Sequence, residues 1–396
     1  MTSNSVAGED VLSQVILNDL LVQTILDNLS AKQLSQSKSV CHRWSGIVKN
    51  IVKNRTSYET FLSVICPKGF ESSGNQDNEK EKKAKKIFLD LIKKSPEILK
   101  SENEQSMFQS LDAFFSDQLQ SFPELGILFV SSTNLIRKLS QKNYFPPSCR
   151  KLYICSRAGI IGKSSLTSKP LEFEKFQFKV NAIAGCFVKK QWGDFKITIT
   201  DWDNKESPEP DVDDANYPIC GLLIFSINFE EGKRFNSFLD KQTKPIAIGG
   251  ALVDKIWYQG QTTKMLTMTF AGKNVKSASF VLDTKTVSEA HCELTHFKNC
   301  LDFDVDAKSP NIRTIGFIFI CAARGAAYYQ GDLNVESDLL HSIFPNVMFS
   351  GVFGNGEYGW DCYNKTDCDQ DTRSLSQPNL AQSFTSVIVL VQFVKS

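Results

Sequence analysis

Thr314 to Ala322, TIGFIFICA, is an almost unbroken apolar run of strand-favouring residues. A run without polar alternation predicts a strand buried on both faces. Cys321, Arg324 and Gly325 stand where that strand ends. Beyond them Val335, Leu339, Leu340, Ile343 and Phe344 recur on one helical face, with Asn334 placed to cap the helix and Pro345 to end it. Phe349 to Phe353 predicts the next strand. Gly354, Gly356 and Gly359, around Asn355 and Glu357, predict a turn where backbone approaches something closely.

The amino-terminal pattern is different. From Val15 to Lys53, Leu17, Leu20, Leu21, Ile25, Leu26 and Leu29 recur at helical spacing, Ser30 interrupts them, and Leu34, Val40, Trp44 and Val48 resume the pattern. A unit this small cannot bury so many large apolar side chains internally, and a leftover apolar face is a docking surface. Cys66 to Asn78 is a loop, Glu79 to Lys94 a helix whose basic run forms a solvated face, and Ser106 to Phe122 another amphipathic helix.

From Leu125 onward strands dominate: Gly126–Ser131, Lys151–Ser156, Asn181–Val188, Phe195–Thr200, Ile219–Ile227, Pro245–Gly250, Met265–Phe270, Lys276–Leu282, the two around Arg324, and Val387–Val394. Helices are expected at Gly232–Gln242 and Ser288–Cys300, and Asp201–Asp214 as a mobile acidic loop. The fold class this implies is α+β: a helical amino-terminal unit followed by a mixed-sheet region of two halves meeting near Gly249. The expected division is 15–54, a helical linker region 55–105 with a flexible loop at 66–78, a first half 106–245 and a second half 246–396.

Composition adds limits. The 396 residues exceed one ordinary core, and the formal net charge of +1 gives no global reason to expect nucleic acid as a partner. The eleven cysteines contain no C-x-x-C pair, which reads as reduced, buried thiols. The polar amino terminus does not support a secretory signal, and the longest apolar segments are too short to span a bilayer. A soluble protein of cytoplasm or nucleus is expected.

Several chemistries fail on spacing. Arg157–Ser165, RAGIIGKSS, has two residues between Gly159 and Gly162 where a phosphate loop needs four. Asp302, Asp304 and Asp306 imitate a calcium loop, but Ala307 and Arg313 occupy the positions of its glycine and glutamate. His291, Cys292, His296 and Cys300 lack a second ligand pair of standard spacing, so no metal and no other cofactor is expected. Cys321 would be activated if the Arg324 guanidinium lay over it, yet no histidine is tied to it by a local signature, and no catalytic residue is assigned.

Two resemblances give these patterns a function. L-N-D-L-L-V-Q-T-I-L-D-N-L-S-A-K-Q-L followed by S-V-C-H-R-W resembles an F-box, with Leu17, Leu21, Ile25, Leu26, Leu29, Leu34, Val40, Cys41 and Trp44 on the family's apolar sites. Asn18 and Ser30 replace its usual prolines. The resemblance implies binding of a Skp-family adaptor, and through it a cullin, by Leu17, Leu21, Ile25, Leu26, Leu29, Val40 and Trp44. Gly249–Asp254, Cys321–Gly325 and Gly351–Gly359 are similar to the G-G-x-x-x-D, C-x-x-R-G and G-x-F-x-x-G-E signatures of FIST domains, over about Phe108 to the carboxyl end. Residues 106–245 and 246–396 would then be the two FIST halves. That resemblance implies a ligand or substrate pocket formed by Asp254, Cys321, Arg324, Asn355 and Glu357. Together they imply a non-enzymatic substrate receptor of a Skp-cullin-F-box ubiquitin ligase, which brings a protein substrate to degradation. The alternative is a small-ligand sensor or pocket enzyme whose F-box controls its own turnover.

Overall fold

A computed structural model describes residues 19–54, 58–65, 99–101, 104–119, 123–142, 144–145, 148–162, 170–174, 181–188, 194–207, 214–232, 236–239, 245–309, 311–363 and 380–395. The expected loop at 66–78 and helix at 79–94 lie outside these residues, as does Leu17.

Three helices come first among the described residues: α1 (Asp19–Asp27), α2 (Ala31–Ser37) and α3 (His42–Asn54). Val22, Leu26, Leu34, Val48 and Ile51 form their shared core, with Leu29, Ile47 and Trp44 packed against it. Ser30 caps α2 in a reciprocal box, accepting from the Gln33 amide at 3.3 Å while its own amide donates to the Gln33 side chain at 2.9 Å.

The remainder is mixed. In order come β1 (Tyr58–Ile65), β2 (Leu99–Ser101), α4 (Glu104–Ala113, widening into a π-helical turn at Phe114–Gln118), β3 (Leu125–Val130), α5 (Thr133–Ser140), β4 (Arg150–Cys155), β5 (Gly159–Gly162), β6 (Leu171–Glu174), β7 (Asn181–Val188), β8 (Lys196–Asp201) and β9 (Ile219–Ser226). Two short helices, α6 (Phe229–Gly232) and α7 (Asn236–Leu239), stand where one was expected. Then come β10 (Ala247–Leu252), β11 (Lys255–Tyr258), β12 (Gln261–Thr263), β13 (Met265–Ala271), β14 (Val275–Leu282), α8 (Val287–Asn299), β15 (Ile312–Cys321), α9 (Val335–Ile343), β16 (Met348–Gly354), β17 (Glu357–Gly359), β18 (Ala381–Gln382) and β19 (Ser386–Val394). The fold is α+β, helices first and mixed sheets after.

The described strands form three sheets, in the orders β12-β11-β4-β3-β7-β1-β2, β18-β17-β10-β9-β13-β8 and β14-β19-β15-β16-β5-β6. Strands from both sides of position 245 share every sheet. Tyr58–Ile65, in the stretch expected to be a helical linker, pairs along its length with β7.

Each sheet gives one face to a common core. Ile127 and Phe129, Leu223 and Phe225, and Phe317 and Phe319 all belong to that core. The alternate residues face separate covers: Leu128 and Val130 meet α4 and α5, Ile318 and Ile320 meet α8 and α9, and Leu222 and Ile224 meet the short helices. This two-sided burial is why the strands read as apolar runs rather than alternating ones. At Gly249 a Cβ would run into Val389 and Phe319 of the facing sheet, so the close approach requires glycine.

The expected acidic loop is partly folded. Asp201 ends β8, its amide donates to Ser207 Oγ at 2.7 Å, and its carboxylate accepts from Thr263; residues 208–213 lie outside the described set.

Candidate functional site

Two places carry the predicted site residues. The first is the outer face of the amino-terminal helices. Leu21 is 44% exposed, Ile25 51% and Val40 62%, whereas Leu26 is fully buried in the helical core. Leu29 and Trp44 are half-buried at the edge of that core. Val22 and Leu26 turn inward while Leu21 and Ile25, one helical turn apart, turn outward, so α1 is apolar on two sides. The three exposed residues can bury apolar area on a partner; Leu26 presents no surface to one.

The helical unit is tied to the sheet region. Ser30 Oγ donates to the Ser116 carbonyl at 2.8 Å, and the Ala31 amide donates to the Leu119 carbonyl at 2.9 Å. Both acceptors lie on or just after the π-helical turn that ends α4.

The second place is the carboxyl end of β15. The chain leaves Cys321 through a short 3₁₀ turn, Ala322–Arg324, and Arg324 points inward with its side chain fully buried. Its Nε donates to Glu336 Oε1 at 3.0 Å and its Nη2 to the Tyr329 hydroxyl at 2.9 Å. Nη1 donates to the Thr284 carbonyl at 3.0 Å, the Phe384 carbonyl at 3.2 Å and the Tyr328 hydroxyl at 3.4 Å. Every nitrogen is thus engaged by the protein itself, and Arg324 acts as a fastening between β14, β19 and α9.

Arg324 does not activate Cys321. Burial raises the Cys321 thiol above its ordinary range, and the neighbouring Glu357 carboxyl raises it further. Glu357 is itself fully buried, accepts from Thr385 Oγ1 at 3.2 Å, and has its carboxyl pushed up by burial. Cys321 and Glu357 are therefore neighbours among the five expected pocket residues. Asp254 is held instead by Arg157, whose backbone amide and Nε both donate at 2.6 Å. Asn355 sits exposed on the glycine turn, its backbone amide bonded to the Leu252 carbonyl at 3.1 Å.

Asn334 does not cap α9 with its side chain. It adopts a left-handed conformation, φ 59°, and its Oδ1 accepts from the Glu172 amide at 2.8 Å. Glu172 takes over the cap, its Oε1 accepting from the Ser337 amide at 2.7 Å. Its neighbour Glu174 accepts from the Ala326 amide at 2.7 Å. Both side chains are buried: Glu172 is pushed up to about 8 and Glu174 to about 7, by desolvation first and by Glu336 in addition.

Glu172, Glu174, Glu336 and Tyr329 were not singled out from the sequence. The available signal was Leu171–Glu174, LEFE, where two carboxylates alternate with apolar residues beside no obvious partner. Among the described residues, no group of three or more His, Cys, Asp or Glu side chains is arranged to hold a metal ion.

No family model matches the chain. F-box only protein 22 of Homo sapiens is 30% identical over 132 residues, which is 33% of this chain and 31% of that protein. F-box only protein 22 of Pongo abelii is 30% identical over 130 residues, with the same shares. The chain is similar to F-box only protein 22. The matched part spans under a third of the F-box only protein 22 length.

Proposed function

We propose that the chain is the substrate-recognition subunit of a Skp-cullin-F-box ubiquitin ligase. The observation that carries this reading is that Leu21, Ile25 and Val40 are exposed although the helices already have a core of their own. Large side chains left in water on a folded unit are what a partner helix would cover. The similarity to F-box only protein 22 supports the same reading.

In this proposal the adaptor and cullin bind at residues 15–54, and the mixed-sheet, FIST-like region binds a protein substrate in the cytoplasm or nucleus. The chain performs no chemistry itself. Holding both partners raises the effective concentration of a substrate lysine near the charged conjugating enzyme, which leads to ubiquitylation and proteasomal degradation.

Co-purification of the full chain with a Skp-family adaptor and cullin tests it. The wild type brings down both, and Leu21→Asp with Ile25→Asp brings down neither while keeping its melting transition, because both residues are exposed. Failure of the wild-type chain to retain the adaptor overturns the reading.

A further inference from the structure

Side chains, as much as its sheet, hold β6 in place. Among the described residues it ends its sheet, pairing only with β5, whose four residues Gly159–Gly162 lie opposite Leu171–Glu174. Its other bonds run to the chain between β15 and α9 rather than to a further strand. The Glu172 amide donates to Asn334 Oδ1 at 2.8 Å, the Glu172 carboxyl accepts from the Ser337 amide at 2.7 Å, and the Glu174 carboxyl accepts from the Ala326 amide at 2.7 Å. Leu171 and Phe173 point the opposite way, into the common core. The support beneath is narrow, because β5 meets β16 at two positions, Ile160 with Val352 and Ile161 with Gly351.

The charges in this attachment do not balance. Glu172 and Glu174 are each 8% exposed and Glu336 is 1% exposed. Among the described residues, the cation facing them is Arg324, and its Nε is bonded to Glu336 at 3.0 Å while its other nitrogens go to the Tyr328 and Tyr329 hydroxyls and to backbone carbonyls. The Tyr329 hydroxyl also donates to Glu336, at 2.8 Å. Cys321 on β15 and Glu357 on β17 stand behind this group and bring no cation to it, Glu357 being raised in part by Glu336. With every carboxyl ionised, Glu172 and Glu174 would be two buried anions without a cation between them. The amide bonds favour the charged forms, but desolvation and then Glu336 outweigh them, which pushes Glu172 up to about 8 and Glu174 to about 7.

We propose that β6 is a proton-dependent latch, docked on β5 and on the start of α9 while Glu172 and Glu174 hold their protons and released when both lose them. Released into water, the two carboxyls ionise at their ordinary range, so each step of pH above that range favours the open form. Opening strips α9 of the Glu172 contact at its amino end and bares the β5 edge, a row of backbone groups able to take another strand. The latch acts within the mixed-sheet region and is independent of the receptor reading.

Hydrogen exchange of the full chain, followed by mass spectrometry at about pH 6 and about pH 8.5 and corrected for the intrinsic rate, tests it. At the higher pH, peptides covering Leu171–Glu174 and Gly159–Gly162 exchange at least about tenfold faster, while Ile315–Cys321 keeps its protection. Return to the lower pH restores them. Glu172→Gln with Glu174→Gln keeps an oxygen for each amide but cannot ionise, so β6 stays protected at both pH values. Either single variant opens at higher pH than the wild type. The proposal is overturned if β6 is equally protected at the two pH values in the wild type, if β15 loses protection along with it, or if the variants open as the wild type does.

Discussion

Ser30 and Ser116, 86 positions apart, are joined by a hydrogen bond of 2.8 Å from the Ser30 hydroxyl to the Ser116 carbonyl. The same oxygen accepts from the Gln33 amide, so one side chain both starts α2 and ties the helical unit to the sheets. Proline, the residue an F-box commonly has here, would supply neither the hydroxyl nor the amide proton that meets Gln33. Ser30 is thus an attachment between the helical unit and the rest of the chain.

Ser30→Ala removes the cap and the tie together, and it is expected to cost about 1–2 kcal/mol. Urea denaturation followed by circular dichroism reads this. Unchanged stability in Ser30→Ala would show that the contact contributes nothing to holding the unit. The proposed adaptor binding should persist in this variant, because Leu21, Ile25 and Val40 are other, exposed residues of the unit.

Arg324 and Glu336 form an ion pair at 3.0 Å with both side chains out of water. Replacing Arg324 by Met leaves Glu336 buried without its cation, an expected loss of about 3–5 kcal/mol. Arg324→Met with Glu336→Gln removes the stranded charge and should recover a substantial part of that loss. A double-mutant cycle in urea decides the matter, and additive losses would mean that the two residues are not coupled.

The strands were legible because each sheet is buried on both faces, which writes them as apolar runs; Asn181–Val188 falls where its residue pattern places it. The helical unit was legible from its spacing. Tyr58–Ile65 was not, since a short apolar run beside helices has no period of its own to separate strand from helix. The site was legible only in part. Cys321 and Glu357 come together, but Arg324 turns to Glu336, and the Asn334 side chain goes to Glu172, 162 positions away. Local spacing cannot announce a partner brought in by an edge strand so distant in the chain.

The buried carboxylates make stability fall as pH rises. Glu172 and Glu174 are raised to about 8 and about 7, and Glu357 is raised as well. Below the ordinary carboxylate range both folded and unfolded chains hold these protons, and the stabilisation is fully present. Between about pH 4.5 and 8 the unfolded chain releases protons that the folded one keeps, so each group lowers stability by at most about 1.4 kcal/mol per pH unit. Glu172→Gln still accepts from the Ser337 amide but cannot titrate, and it should flatten the fall in denaturation midpoint from pH 5 to 8. An unchanged slope in that variant would place the proton linkage elsewhere.

Gly325 lies against the Glu174 carboxylate so closely that a Cβ there would overlap both carboxylate oxygens. Glu174 cannot move aside freely, because its Oε1 accepts from the Ala326 amide at 2.7 Å while β6 is held by the Glu172 and Asn334 contacts. The Gly325 backbone, φ −65° and ψ −160°, is not left-handed, so the requirement for glycine comes from space rather than conformation. Gly325→Ala should therefore destabilise the chain by about 1–3 kcal/mol, as overpacking does. Trimming the obstacle in Gly325→Ala with Glu174→Ser should restore part of it. If Gly325→Ala alone melts with the wild type, β6 yields without cost and the carboxylate latch is weaker than its geometry implies.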